Sequence, residues 1–176
     1  MNSEIKKQCS DYWNNRADGY SEVNKEELNG QQHVKWQQFL DSEIKSVYTN
    51  TGRDSIKVLD IGSGPGFLSI VMAEKGYIVT GADYSQEMIS CAKGNAKDYG
   101  VDILFCKEDA ENLSFSDDSF DVIISRNLTW NLPDTDKAYH EWLRVLKPGG
   151  LMMIFDANWY SYLFDEESRK AYENDR

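Results

Sequence analysis

Short apolar runs alternate with stretches of helical periodicity over most of the chain. The apolar runs lie at residues 56–61, 77–82, 102–106, 120–125 and 151–156. Continuous apolar runs are typical of strands buried on both faces, whereas apolar residues that recur every three or four positions are typical of amphipathic helices. Because the two patterns alternate, the chain is predicted to be an α/β protein with a doubly wound, mostly parallel sheet and helices on both faces.

Glycine marks the ends of the predicted elements. We predict helices at residues 66–75, 85–99 and 134–146, a turn at 147–150 and a charged helical tail at 165–176. Gly76 and Gly100 follow the first two helices, at the position where a left-handed residue usually ends a helix. Five strands and their connecting helices are thereby assigned.

The first 50 residues follow a different pattern. Aromatic and aliphatic side chains recur at near-helical spacing between Tyr12 and Val47, and Asn29-Gly30 interrupts them. The pattern predicts two amphipathic helices ahead of the sheet. We therefore expect one domain in two parts, a helical cover at residues 1–50 and a Rossmann-like core at 51–176.

Composition and charge narrow the class of ligand. The 176 residues carry a net charge of -11, and no cluster of lysine and arginine offsets it locally. An acidic surface of this kind disfavours nucleic acid and anionic lipid as partners. No apolar stretch approaches the ~20 residues that span a bilayer, and the N-terminus is polar. We expect a small-molecule substrate, no nucleic-acid partner, no membrane partner and a cytoplasmic location.

Cysteine and histidine are too few and too scattered to predict a metal site. Cys9, Cys91 and Cys106 show no C-x-x-C spacing, and His33 and His140 are the histidines available to them. We expect reduced thiols, no metal, and two histidines at the surface rather than in a catalytic role.

The segment VLDIGSGPGFL at residues 58–68 is the strongest chemical signal. It joins an apolar run, the acid Asp60 and three alternating glycines. Glycine allows positive φ and lets a ligand approach the backbone closely. The dinucleotide fingerprint G-x-G-x-x-G would need glycine at position 67, where this chain has Phe67. The segment therefore predicts a strand, a tight turn and a helix start that hold a nucleoside-type cofactor.

Polar groups follow each of the next predicted strands. Asp83 comes about twenty residues after the glycine loop begins, where a carboxylate can accept both hydroxyls of a ribose. Its alternative role is that of a helix N-cap, but Ser85 can serve as that cap and would leave Asp83 for a ligand. Asp109 follows the third strand, and Arg126-Asn127 follow the fourth. Because parallel strands end at one edge, these groups are predicted to share a site.

Together, these motifs resemble those of the class I S-adenosylmethionine-dependent methyltransferases. The resemblance covers about residues 12–156 and rests on the segments 12–20, 58–68, 78–89, 108–115, 120–127 and 144–150. It implies an enzyme that transfers a methyl group from S-adenosyl-L-methionine to a small-molecule acceptor by in-line displacement and yields S-adenosylhomocysteine. The family's enzyme class is EC 2.1.1.-.

The resemblance also implies a set of cofactor-binding residues. They are Tyr20, Asp60, Gly62, Ser63, Gly64, Asp83, Tyr84, Met88, Asp109, Ala110, Arg126 and Asn127. In the family, the acid at Asp60 helps to hold the ammonium group, and the acid at Asp109 meets the adenine amino group. The amide at Ala110 meets a ring nitrogen, while Tyr84 and Met88 pack on the cofactor. Tyr20 is expected near the methionine carboxylate.

No catalytic residue is predicted. The side chains expected at the pocket mouth are Tyr20, Asn127, Trp130, Asn131, Asp156, Trp159 and Tyr160, and none has the character of a general base. The acceptor atom therefore stays open.

One departure from the family concerns the end of the chain. The family usually adds a strand hairpin after the fifth strand, whereas this chain ends about one helix after it. The fifth strand would then be an exposed apolar edge. We expect a C-terminally truncated chain without the hairpin, or a homodimer that covers this edge. Two alternative functions stay open, namely a noncatalytic cofactor-binding or interaction module and, less favoured, an NAD-dependent oxidoreductase.

Overall fold

The computed structural model describes residues 2–157 and 163–174, and within them five strands form one parallel sheet. The strands are β1 (Lys57–Ile61), β2 (Ile78–Asp83), β3 (Leu104–Lys107), β4 (Phe120–Arg126) and β5 (Leu146–Phe155). Their order is β3-β2-β1-β4-β5. The order reverses beside β1, between β1 and β4, and such a switch point is where open α/β sheets bind ligands at their carboxyl edge.

Helices cover both faces of the sheet, as the sequence predicts. The described α-helices are α1 (Asn2–Asn29), α2 (Gln31–Val47), α3 (Phe67–Glu74), α4 (Gln86–Asp98), α5 (Thr135–Val145) and α6 (Glu166–Asn174). The predicted doubly wound α/β fold is confirmed. Observed element boundaries outside β5 lie within about two residues of the predicted ones, which is the usual uncertainty of helix and strand ends.

The sheet separates two apolar layers, because successive side chains of a strand point to opposite faces. Val58 of β1 and Ile124 of β4 pack with α2, α3 and α4 on one face. Leu59 and Ile123 pack with α5 on the other face, around the fully buried Trp142. These two layers hold the strands in fixed register. The carboxyl ends of the strands therefore form a rigid edge.

The two N-terminal helices meet at Gly30, as predicted. Gly30 is the N-cap of α2, and α1 ends one residue before it. Ala17 and Leu28 of α1 are buried, and α1 packs along α3 and α4. In residues 2–157 and 163–174, no helix is long and apolar enough to cross a membrane. The expected truncation of the chain stays a prediction.

A turn is predicted at residues 147–150, between α5 and the fifth strand. This prediction is wrong, because these residues belong to β5. The register changes from Phe120 opposite Leu146 to Val122 opposite Leu151, so residues 147–150 of β5 face a single residue, Asp121, of β4. Asp121 Oδ1 accepts a hydrogen bond from Lys147 Nζ at 2.7 Å, which helps to hold this bulge against β4. The glycines make a bulge within a strand rather than a connection between elements.

Candidate active site

A pocket opens at the carboxyl edge of the sheet, above the switch point between β1 and β4. It encloses about 920 Å³ of space free of protein atoms, with the solvent at its mouth included. The pocket floor consists of residues that end or follow strands: Ile61, Gly62, Gly64, Ala82, Asp83, Tyr84, Glu108, Asp109, Ala110, Arg126 and Asn127. The pocket roof is the face of α1 that carries Lys6, Cys9, Ser10, Trp13 and Tyr20. Segment 128–133 supplies a side wall.

The glycine loop turns tightly because the backbone of β2 binds it. The amides of Gly62 and Ser63 both donate to the carbonyl oxygen of Ala82, at 2.8 and 3.0 Å. Gly62 and Gly64 have φ of 71° and 51°, in the left-handed region that favours glycine. A Cβ at Gly64 would have no protein atom within 4 Å. Gly64 therefore presents bare backbone to open space, which a ligand can approach closely.

Asp83 connects the glycine loop to the start of α4. Its Oδ2 accepts from the Gly64 amide at 2.9 Å and its Oδ1 from the Ser85 amide at 2.8 Å. Ser85 caps α4 as expected, through a bond from the Met88 amide to its Oγ at 3.1 Å. Asp83 is therefore not the cap of α4, but it is not without partners, since both of its oxygens accept from backbone amides. Each carboxylate oxygen has a second lone pair, so Asp83 can still accept two hydroxyl groups.

A small recess beside the main pocket contains Asp60 and Ser63. Asp60 is 2% exposed, and its Oδ2 accepts from Ser69 Oγ at 2.6 Å. Burial raises the pKa of Asp60 to about 6. Ser63 Oγ is buried and has no hydrogen-bond partner among the residues that the structure describes. Buried hydroxyl groups are usually hydrogen-bonded, so Ser63 is suited to a polar group of a ligand. Tyr20 borders both the recess and the main pocket.

Asp109 and Ala110 lie on the pocket floor after β3. Asp109 Oδ1 accepts from the Glu111 amide at 2.9 Å, and its Oδ2 accepts from Lys6 Nζ at 2.7 Å. The carbonyl oxygen of Ala110 accepts from Trp142 Nε1 at 2.9 Å, which fixes the loop against α5. An ammonium group from the pocket roof therefore already contacts the acid predicted to meet adenine.

Arg126 and Asn127 end β4 in different orientations. The Arg126 guanidinium donates to Glu27 Oε2 at 2.7 Å and lies 4.5 Å from the centre of the Phe67 ring. It thus faces the N-terminal helices while it borders both the pocket and the recess. Asn127 is left-handed, with φ of 59°, and its carbonyl oxygen accepts from Trp130 Nε1 at 2.9 Å.

Burial at the pocket floor raises the pKa of Asp83 above its ordinary value. The neighbouring Tyr84 and Met88 line the pocket as predicted, and Lys107 Nζ lies 5.6 Å from the centre of the Tyr84 ring. The structure therefore brings all twelve predicted cofactor residues to the pocket or its recess. Their roles stay predictions.

The predicted mouth residues separate into four groups. Tyr20, Asn127 and Asn131 line the pocket, while Trp130 lies at its rim with its ring centre 6.4 Å from that of Trp13. Asp156 is exposed and accepts a hydrogen bond from Thr129. Trp159 and Tyr160 lie outside the described residues.

Neither histidine reaches the pocket. His33 Nε2 and Glu74 Oε2 lie 2.5 Å apart where α2 meets α3, and His140 contacts the Asp136 carbonyl within α5. In the described part of the chain, no group of three or more His, Cys, Asp and Glu side chains is arranged to hold a metal ion. Burial raises the pKa of the Cys106 thiol to about 11, which is unsuited to a nucleophile at neutral pH.

Sequence reasoning missed Lys6, Cys9 and Ser10 of the roof, together with Glu111 below them. A signal was available, because Lys6, Cys9, Ser10 and Trp13 follow the i, i+3, i+4, i+7 spacing that places residues on one helix face. The polar character of these residues concealed the pattern, since it is apolar periodicity that normally reveals a buried face.

Comparisons with known proteins agree on one family. The profile of a family described as "Methyltransferase domain" matches residues 59–154, which is more than half of the chain. The matched range begins in β1 and ends in β5, so it contains the strand ends of the pocket floor.

Two curated relatives show the extent of the similarity. The chain is 31% identical over 135 residues to the ubiquinone/menaquinone biosynthesis C-methyltransferase UbiE of Vibrio vulnificus, a match that covers 73% of this chain and 49% of the relative. It is 36% identical over 105 residues to a ubiquinone biosynthesis O-methyltransferase of Chelativorans sp., with 60% of this chain and 42% of the relative covered. The chain thus spans about half the length of the curated relatives it matches.

A solved structure extends the match to the N-terminal helices. It is that of a Methanococcus maripaludis protein, a candidate S-adenosyl-L-methionine-dependent methyltransferase, with a TM-score of 0.69 and 26% identity. The match covers 92% of this chain and 71% of that protein. The shared architecture is therefore not limited to the sheet.

Proposed function

This chain belongs to the methyltransferase domain family, and we propose that it binds S-adenosyl-L-methionine on the pocket floor and transfers the methyl group to a small-molecule acceptor. The single observation that carries the proposal is the arrangement of the floor. The glycine loop presents bare backbone to the pocket. On one side of the loop is the recess, which contains the acid Asp60 and the Ser63 hydroxyl, a group with no partner among the described residues. On the other side are two acids, Asp83 and Asp109.

The described residues fit the parts of this cofactor. Asp60 and Ser63 would hold the amino-acid end in the recess, where the Ser63 hydroxyl needs a partner. Asp83 would accept the ribose hydroxyls with the lone pairs that its two amide contacts leave unused. Asp109 and Ala110 would meet the adenine edge. The open space beside Gly64 would let the ligand pass close to the backbone between these two ends.

The acceptor would lie beside the wall formed by segment 128–133. Leu128, Leu132 and Pro133 of this wall face the pocket, and Trp13 of the roof closes it from above. These groups carry no charge, so we propose a neutral acceptor with an apolar ring rather than a polyanion or a polyamine. The names of the two curated relatives, which refer to ubiquinone or menaquinone biosynthesis, support a ring-bearing acceptor.

The proposed reaction makes modest demands on the protein. The cofactor would supply a methyl group on a positively charged sulfur, so transfer needs alignment of the acceptor with the carbon–sulfur bond. The floor would fix the cofactor through Asp83 and the glycine loop. The roof would orient the acceptor through Trp13. The described pocket lining contains no histidine to act as a general base, so the proposal assigns no residue to proton removal.

A transfer assay with methyl-labelled S-adenosyl-L-methionine tests the proposal. We expect S-adenosylhomocysteine to form in the presence of a neutral phenol, hydroquinone or aromatic thiol, and to form much more slowly with the Gly64→Ala variant at micromolar cofactor. Production only with polyamines or nucleic acid would contradict the proposed acceptor class. Binding of the cofactor with no transfer across ring acceptors would instead support a noncatalytic cofactor-binding module.

Two further proposals concern the assembly and the location of the protein. Among the described residues, β5 is an edge strand, and the half-exposed Phe39 packs beside it with its ring centre 5.8 Å from that of Phe155. We propose that a second copy of the chain covers this apolar edge. Sedimentation equilibrium at micromolar concentration tests this assembly, with a dimer expected and a monomer contradicting it.

We also propose that the protein acts in the cytoplasm. Fractionation of cells tests this location, with the protein expected in the cytoplasmic fraction.

A further inference from the structure

Lys6 lies between two carboxylates from one loop of the pocket floor. Its Nζ is 2.7 Å from Asp109 Oδ2 and 2.6 Å from Glu111 Oε2. The side chain of Glu111 is 2% exposed, and its Oε1 accepts from the Asp134 amide at 2.9 Å. Although burial opposes it, hydrogen bonds to both acids raise the pKa of Lys6 above its ordinary value. A charge as buried as that of Glu111 requires a partner of opposite sign.

The same contact fastens the first turns of α1. Further side-chain bonds between this half of the helix and the rest of the protein include Cys9 Sγ to Asn131 Oδ1 at 3.8 Å and Ser85 Oγ to Asn14 Oδ1 at 2.6 Å. A thiol hydrogen bond is weak, and Asn14 lies two turns further along. If the first turns of α1 moved outward, Glu111 would lose its cationic partner and keep the Asp134 amide.

We propose that Lys6 is a positioning residue that latches the roof over the Asp109 end of the pocket and sets how long a bound cofactor stays. Each oxygen of Asp109 has a second lone pair, so the Lys6 ammonium and an adenine amino group can share this carboxylate. The effect on the cofactor rests on the proposed function. The latch itself is a property of the ligand-free protein and can be measured without a cofactor.

Hydrogen exchange of the ligand-free protein tests the latch. In the Lys6→Met variant we expect amides of residues 5–10 to exchange roughly 10-fold faster, since local opening would no longer break an ion pair. Lys7→Met, which removes a neighbouring exposed lysine, should leave these rates unchanged. Amides of β1 report whether the core is intact. Unchanged exchange at residues 5–10 in Lys6→Met would overturn the proposal.

A second variant separates the latch from general stability. Glu111→Gln in the Lys6→Met background removes the buried charge that the first substitution leaves unpaired. We expect the melting temperature to recover toward that of the native protein while exchange at residues 5–10 stays fast. If slow exchange returned together with stability, the role of Lys6 would be structural and the latch would be ruled out.

The cofactor effect is read from stopped-flow tryptophan fluorescence, to which Trp13 of the pocket roof contributes, as S-adenosylhomocysteine dissociates. We expect Lys6→Met to raise the dissociation rate roughly 10-fold with a smaller change in the association rate, and Lys6→Arg to stay near the native rate. Equal dissociation rates in Lys6→Met and the native protein would contradict the effect on residence time. If the native protein bound no S-adenosylhomocysteine, the proposed function would fail, while the exchange experiment would still decide whether the latch exists.

Discussion

The pocket floor and the pocket roof are held in place by different interactions. The floor is fixed by the main chain: two loop amides donate to the Ala82 carbonyl, and the Gly64 amide donates to Asp83. The roof is a helix whose first half is attached by side chains, among which Lys6 carries the charge contact. The floor follows directly from strands that the core holds rigid, whereas the roof depends on a few long side chains.

This difference assigns different properties to the two regions. A surface built from backbone amides and short acids keeps its geometry without a ligand, so it should determine which cofactor binds and how tightly. A helix attached by side chains can move without disturbing the sheet, so it should determine residence time and access. Substitutions in the floor are therefore expected to change equilibrium affinity more than substitutions in the roof.

The largest effect is expected from Gly64→Ala in the floor. The new methyl group would enter the space beside the glycine loop, and affinity for S-adenosylhomocysteine should fall about 100-fold, or about 2.7 kcal/mol. Gly100→Ala is a matched control, because both glycines have positive φ and an added Cβ at either would meet no protein atom within 4 Å. Both variants should lose about 1 kcal/mol of stability from backbone strain. Calorimetric titration and thermal unfolding of the pair separate strain from ligand exclusion.

The second-largest loss of cofactor affinity is expected from Asp83→Asn. The amide group keeps one acceptor oxygen but sets a nitrogen against the backbone amide of Gly64 or Ser85, and it removes an acceptor for a ribose hydroxyl. We expect affinity to fall about 30-fold, in line with the loss of charge-assisted hydrogen bonds worth about 2 kcal/mol. Asp102→Asn, at an exposed acid before β3, is the control. Equal affinities of the two variants would remove Asp83 from the cofactor site.

A smaller and pH-dependent effect is expected from Asp60. Its pKa of about 6 means that the carboxylate is protonated below this pH and ionised above it. Because the ionised form would attract the ligand ammonium group, affinity should rise as the pH increases from about 5 to about 7, by up to about 10-fold. Burial also raises the pKa of Asp83, so a control is needed. Asp60→Asn should flatten most of this rise, and an unchanged pH profile in that variant would exclude Asp60.

The smallest effect on affinity is expected from Trp13 in the roof. Trp13 packs edge-on against Tyr20 and Trp130, with ring centres 5.6 and 6.4 Å away. Trp13→Phe should keep most of this apolar cover and change the dissociation constant of S-adenosylhomocysteine by less than about threefold. Calorimetric titration measures it. A loss of affinity of more than about tenfold would mean that the roof contributes as much to cofactor affinity as the floor does. The difference proposed between the two regions would then be wrong.

The floor could be predicted from sequence because its signals are local. The glycine loop and Asp60 lie in one continuous segment, and an apolar run identifies each strand whose end carries an acid. The parallel sheet then brings these ends together without further information. The engagement of Asp83 by the Gly64 amide could not be predicted, since it depends on the angle at which the loop leaves β1.

The roof could be predicted only in outline. Helical spacing predicts α1 and the break at Gly30, but Lys6 and Asp109 are separated by 103 positions. With 19 basic and 30 acidic side chains in the chain, charge alone does not select this pair. The bulge at residues 147–150 was missed for a related reason, because it lies in the register of β5 against β4, which no local pattern records.

The most direct test of the central claim is calorimetric titration of this chain with S-adenosylhomocysteine, with NAD as the parallel ligand. We expect micromolar binding of S-adenosylhomocysteine, about -8 kcal/mol, and none of NAD, because position 67, where a dinucleotide site has its third glycine, is Phe67. Binding of NAD in its place, or of neither ligand, would contradict the claim that the pocket floor is a site for S-adenosyl-L-methionine.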